Sequence, residues 1–132
     1  MFFSGPYSQA VRSNGVLFTA GQIGMVPGTL DLAPGGAPSE AALAMRSLKR
    51  VLDVYRCRDA TRGGMAVCYT TSLDFREVVV NVWKRELGGG GALAVPVVSG
   101  LPKGAKVEWH LILAAEVRAA GRLHFTCNCH VA

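Results

Sequence analysis

The chain contains no apolar run of the roughly 18 residues that a membrane-spanning helix requires. Charge is sparse too: 17% of its 132 residues are Asp, Glu, Lys or Arg, which excludes a highly charged, disordered chain. Histidine is scarcer still, with only His110, His124 and His130. The opening Met1-Phe2-Phe3 runs into Gly5-Pro6 without the basic start and long apolar core of a secretory signal. No G-x-x-x-x-G-K-[ST] phosphate loop is present, so the chain is not equipped to activate a substrate with ATP. Cysteine is limited to Cys57, Cys68, Cys127 and Cys129, without the spacing of a small disulfide framework. Reduced thiols and a cytoplasmic location are expected. Cys127-Asn128-Cys129-His130 has the look of a metal site, but structural zinc draws on two separated ligand pairs and no second pair is apparent. We therefore read it as a tail, and expect no metal and no cofactor.

What is present is apolar mass. Half of the residues are hydrophobic, enough for one domain, residues 1–132, with a core that needs no cross-link. The formal charge is +5, with a cationic cluster at Arg46, Lys49, Arg50, Arg56, Arg58 and Arg62. Such a cluster fits an anionic partner such as nucleic acid. It also fits a solvated helix face whose cations offset the helix dipole. The second reading is preferred, because no aromatic residues interleave to stack bases.

Gln9–Arg12 and Val16–Ile23 are expected to form a hairpin around Ser13-Asn14-Gly15, since Asn and Gly both tolerate positive φ. A Gly/Pro-rich loop follows, from about Met25 to Pro38. Ser39 is expected to cap a helix from Glu40 to about Tyr55, with Ala41, Met45, Leu48, Leu52 and Tyr55 on its buried stripe and Glu40 away from it. Met65–Thr71 has strand composition. Ser72 then opens a second helix through Leu87, stopped by Gly88–Gly91. Ala92–Val98 reads as an edge or irregular strand because of Pro96. Lys106–Val117 alternates, with Val107, Trp109, Leu111, Leu113 and Ala115 on one face and Glu108, His110, Ile112 and Glu116 on the other. A last strand, about Arg122–Cys129, is expected to pair with it through Ala119-Ala120-Gly121. The order β-β-α-β-α-β-β indicates an α+β fold with two helices on one face of a mixed sheet. The apolar face of Lys106–Val117 is expected to need a further cover.

Three blocks carry a family resemblance: Gly5-Pro6-Tyr7-Ser8-Gln9-Ala10, then Ala20-Gly21-Gln22-Ile23-Gly24, then Leu101-Pro102-Lys103-Gly104-Ala105-Lys106-Val107-Glu108. In this order and spacing they resemble the RidA family, also called YjgF or L-PSP, over nearly the whole chain. The resemblance implies a chorismate-mutase-like fold, a homotrimer, and small-molecule clefts between subunits. It also implies hydrolysis of 2-imino or enamine acids to 2-oxo acids and ammonia. In that reaction a cation holds the substrate carboxylate and a carboxylate positions the attacking water. Carried onto this sequence, Glu108 takes the water, Tyr7 lines the cleft, and Gly21 lets backbone approach the ligand.

Counting back from Leu101, the family's substrate-binding arginine falls on Leu93, and no lysine or arginine lies between Arg85 and Lys103. Losing one partner of a desolvated charge pair costs roughly 2–5 kcal/mol, or about thirty-fold to several-thousand-fold in binding. Deaminase activity is accordingly expected to be weak or absent. The Val107-Glu108-Trp109 pattern, with Gln22-Ile23-Gly24-Met25-Val26-Pro27 and Val67-Cys68-Tyr69-Thr70-Thr71-Ser72, is most similar to the RidA-like domains on the C-terminal side of eukaryotic diphthine–ammonia ligases. Three functions compete: a small-metabolite binder, an accessory domain related to that ligase, and an L-PSP-type endoribonuclease. The last is weakest, since RNA cleavage often uses paired histidines, and His124 and His130 lie in the terminal strand or tail. His110 shares a strand face with Glu108 and is expected to be structural. Neither a membrane nor a nucleic acid is an expected partner.

Overall fold

A computed structural model describes residues 8–57, 64–114, 116–118 and 124–126, the last two segments by backbone alone. Tyr7, Arg58, Arg62 and the Cys127–His130 tail lie outside the described residues.

The first hairpin joins β1 (Ala10–Ser13) to β2 (Val16–Thr19). Its two-residue loop is Asn14-Gly15, both at positive φ (49° and 75°), as a primed turn requires. Helix α1 spans Ala37–Val54. It begins earlier than Ser39 would set it: Gly36 is the N-cap, and Pro38 sits in the first turn, where a missing N–H costs nothing. Ser39 is therefore inside the helix. The expected apolar stripe is buried at Ala41, Met45, Leu48 and Leu52.

Strand β3 (Met65–Thr70) leads into a short 3-10 turn, Leu73–Phe75, capped by the Ser72 hydroxyl accepting from the Asp74 N–H. Helix α2 (Arg76–Leu87) follows directly and stops at Gly88 in the left-handed conformation. β4 is Ala92–Ala94 and β5 is Val107–Ala114. Two further segments, β6 (Glu116–Arg118) and β7 (His124–Thr126), pair antiparallel as a separate ribbon. No helix among the described residues is long and apolar enough to cross a membrane.

The main sheet runs β1-β2-β5-β3-β4, antiparallel except for the parallel edge pair β3–β4. Pairing beyond β4 is irregular, as Pro96 demands, and resumes at a Thr70–Val97 bridge. Trp109, Leu111 and Leu113 of β5 point toward the helices and are at most 1% exposed. The Trp109 Nε1–H donates to the Ala41 carbonyl at 3.2 Å, which fixes that side as the helix-covered one.

The apolar face of β5 thus already has its cover, and the uncovered surface is the other face. There Val11, Phe18, Ile112 and Met65 stand in one register row across β1, β2, β5 and β3. Val11, Phe18 and Met65 are 54%, 46% and 39% exposed. Alternation along one strand could not reveal this row, because three of its four members come from other strands.

Glu40 also departs from expectation. It is 1% exposed, with Oε1 accepting the Lys106 backbone N–H at 2.9 Å and Oε2 lying 3.4 Å from the Lys106 ammonium. A carboxylate at this depth is held by its hydrogen bonds. Finally, Cys57 is disulfide-bonded, contrary to the expectation of reduced thiols, whereas Cys68 is free. A disulfide depends on approach in space rather than on spacing in sequence.

Candidate functional site

Glu108 and His110 leave β5 on the side away from the helices, two residues apart and therefore on the same face. The register sets Tyr69 of β3 opposite Glu108 and Val67 opposite His110. Past the end of β2 the chain returns to β5 through a bridge between Gln22 and Trp109, with reciprocal N–H to carbonyl bonds of 2.9 Å. That bridge places Gly21 over Glu108 and His110. A Cβ at Gly21 would overlap the Glu108 carboxylate and crowd the His110 ring, so glycine lets this backbone lie close without displacing either side chain.

His110 Nε2 lies 3.2 Å from Glu108 Oε1, and the two side chains are 31% and 18% exposed. The His110 ring also meets Tyr69 edge-on, with centroids 5.3 Å apart at 86°. The imidazole is held between a carboxylate and an aromatic ring. Glu108 Oε2 has no hydrogen-bond partner among the described residues. A half-buried carboxylate with one oxygen oriented and the other open can accept a proton or hold a water. Cys68, behind the site on the helix side, offers no nucleophile, because burial pushes its thiol far above the ordinary value.

Gly21 and Glu108 are brought together. Leu93 is not brought to them within the chain. Its partner on β3 is Ala66, which is buried on the helix side, and Leu93 packs against the core there. His110, which shares a strand face with Glu108 through their i+2 spacing and is expected from the sequence to be structural, is the residue that the fold sets in contact with Glu108. Among the described residues no three His, Cys, Asp or Glu side chains gather as metal ligands.

A mixed five-stranded sheet with two helices on one face and a carboxylate under a glycine turn on the other defines the class. The family model described as Endoribonuclease L-PSP matches residues 3–115, and the chain belongs to that family, the RidA/YjgF/L-PSP proteins. It is 34% identical over 113 residues to the diphthine–ammonia ligase of Schizosaccharomyces pombe, a match covering 82% of this chain but only 18% of the ligase. It is 34% identical over 105 residues to the 2-iminobutanoate/2-iminopropanoate deaminase of Bos taurus, covering 79% of this chain and 76% of the deaminase. Among solved structures it resembles RidA from an Antarctic Psychrobacter, with a TM-score of 0.72 and 27% identity over 86% of this chain and 91% of that one.

Proposed function

We propose that the chain assembles as a homotrimer and binds a small carbonyl- or amide-bearing metabolite in a cleft between subunits, with weak or no hydrolysis of 2-imino acids. The observation that carries this reading is the Gly21–Glu108–His110 contact on the sheet face left open by the helices. The row Val11, Phe18, Ile112 and Met65, exposed at all but the partly buried Ile112, supports association through that face. Leu93 lies on the edge strand β4 and turns to the opposite side. In the proposed trimer, a site that uses both Glu108 and position 93 is one that two chains share. With leucine there, no guanidinium grips a substrate carboxylate.

Light scattering coupled to size exclusion tests the assembly, with an expected mass about three times the 13.9 kDa chain. The chemistry is tested with 2-imino acids made in situ by an amino-acid oxidase, following imine loss in the presence of semicarbazide. Little acceleration is expected. Leu93→Arg restores activity, and adding Glu108→Ala removes the gain, because binding and water activation are separate tasks. Brisk turnover by the unmodified chain overturns the reading.

A second reading is an accessory domain of the diphthine–ammonia ligase type, favoured by the match to that protein and by the absence of a phosphate loop in this chain. A trimer in which Leu93→Arg brings no gain supports it. A cytoplasmic location belongs to the first reading, although the Cys57 disulfide argues for an oxidising setting. Counting free thiols in protein alkylated at lysis decides between them.

A further inference from the structure

The helical layer carries a feature independent of Glu108 and its sheet face. Between α1 and α2 runs a groove of about 610 Å³. Arg46, Lys49 and Arg50 line it from α1, and Arg85 and Glu86 line it from α2. Ala42, one turn before Arg46, keeps that end of the α1 wall low. Glu86 ties the helices together: the Lys49 ammonium is 2.9 Å from Oε2, and Arg85 Nε is 3.2 Å from Oε1. Arg46 and Arg50 are exposed and make no ion pair among the described residues. They stand four residues apart, about 6 Å along the helix axis. Asp53 is the other acidic group in the lining, so four cations face two carboxylates.

Offsetting a helix dipole accounts for Arg85 in the last turn of α2 but not for Arg46, Lys49 and Arg50, since the last turn of α1 holds no basic residue. A nucleic-acid strand is not the best fit either, because no lining residue is aromatic and none can stack a base. Ala42 is the sole apolar member, which leaves little to anchor a hydrophobic peptide. A net positive lining, with two guanidinium forks that make no ion pair among the described residues, matches a compact phosphate-bearing anion.

We infer that the groove is a binding site for a compact phosphate-bearing anion, gripped by Arg46 and Arg50 beside the Lys49–Glu86–Arg85 bridge. All the residues named come from one chain and lie on the helical side, so the site is complete without a second subunit.

Isothermal titration of the full chain with inorganic pyrophosphate in low-salt buffer tests this. Saturable binding that weakens as sodium chloride is added is expected. The Arg46→Gln, Arg50→Gln double variant should weaken it about tenfold, roughly threefold for each exposed contact removed. Glutamine keeps the helix propensity of arginine, and if the double variant melts early the single variants carry the test. Non-saturable binding, equal affinity in the variants, or equal affinity for sulfate overturns the site. Binding of a single-stranded RNA oligomer with no response to pyrophosphate also overturns it, assigning the cations to nucleic acid.

Discussion

Trp109, Leu111 and Leu113 leave β5 on one side, Glu108, His110 and Ile112 on the other, and the two sets answer to different physics. The first set touches helices and exchanges water for close packing. The second faces away from the helices, where Glu108 and His110 keep partial contact with solvent and depend on hydrogen bonds. One strand therefore supports stability through its odd-numbered residues and carries the candidate site through Glu108 and His110. Substitutions on the two faces should separate accordingly.

The largest effect is expected on the covered face. Trp109→Ala removes a side chain of 0% exposure and its bond to Ala41, and should cost about 3–5 kcal/mol in urea unfolding. A loss below about 1 kcal/mol would mean that the helices do not rest on this strand. Glu40→Ala should come next, at about 1–3 kcal/mol, because the Lys106 N–H is left without its acceptor. Glu40→Gln keeps an acceptor and should recover part of the loss in the same measurement.

On the open face the balance should invert. Gly21→Ala is expected to cost only about 1 kcal/mol, the low end for overpacking, since the end of the Glu108 side chain can move. The His110 ring signals in NMR spectra should nevertheless shift, and unchanged signals would break the proposed contact. Smaller again is the Lys49–Glu86 bridge on the outer surface. The Lys49 hydrogen bond, helped by Arg85, holds the Glu86 carboxyl below its ordinary value. A carboxyl lowered in the folded state stabilises the fold above its unfolded value, and that contribution disappears as pH falls through the folded value. Glu86→Gln should therefore cost less than about 1 kcal/mol at neutral pH. The difference from the parent chain should vanish in acid and shrink in high salt.

The covered face was legible in the sequence where its signals are local. Asn14-Gly15 specifies its own turn, the α1 stripe repeats at helical spacing, and β5 alternates without a break. Glu40 was misread because its partner, Lys106, is 66 residues away, and helical spacing says nothing of a hydrogen bond so distant. Ser39 lost the cap because Gly36 and Pro38 together start a helix earlier than a hydroxyl would. For the site, the motif around Glu108 and Gly21 pointed to two residues that do meet. The orientation of Leu93 depended on the β3–β4 register, which no local pattern encodes.

The central place of β5 bears on how the chain can be made. Its neighbours β2 and β3 are both synthesised earlier, yet neither pairs with the other. Until residues 107–114 arrive, the hairpin and the β3–β4 pair have no sheet in common, and α1 lacks the strand that carries Trp109. Closing those long loops is entropically slow. A nascent chain that has not yet reached residue 114 therefore exposes the α1 stripe and the flanks of β2 and β3, and Glu108 enters with the strand that closes the fold.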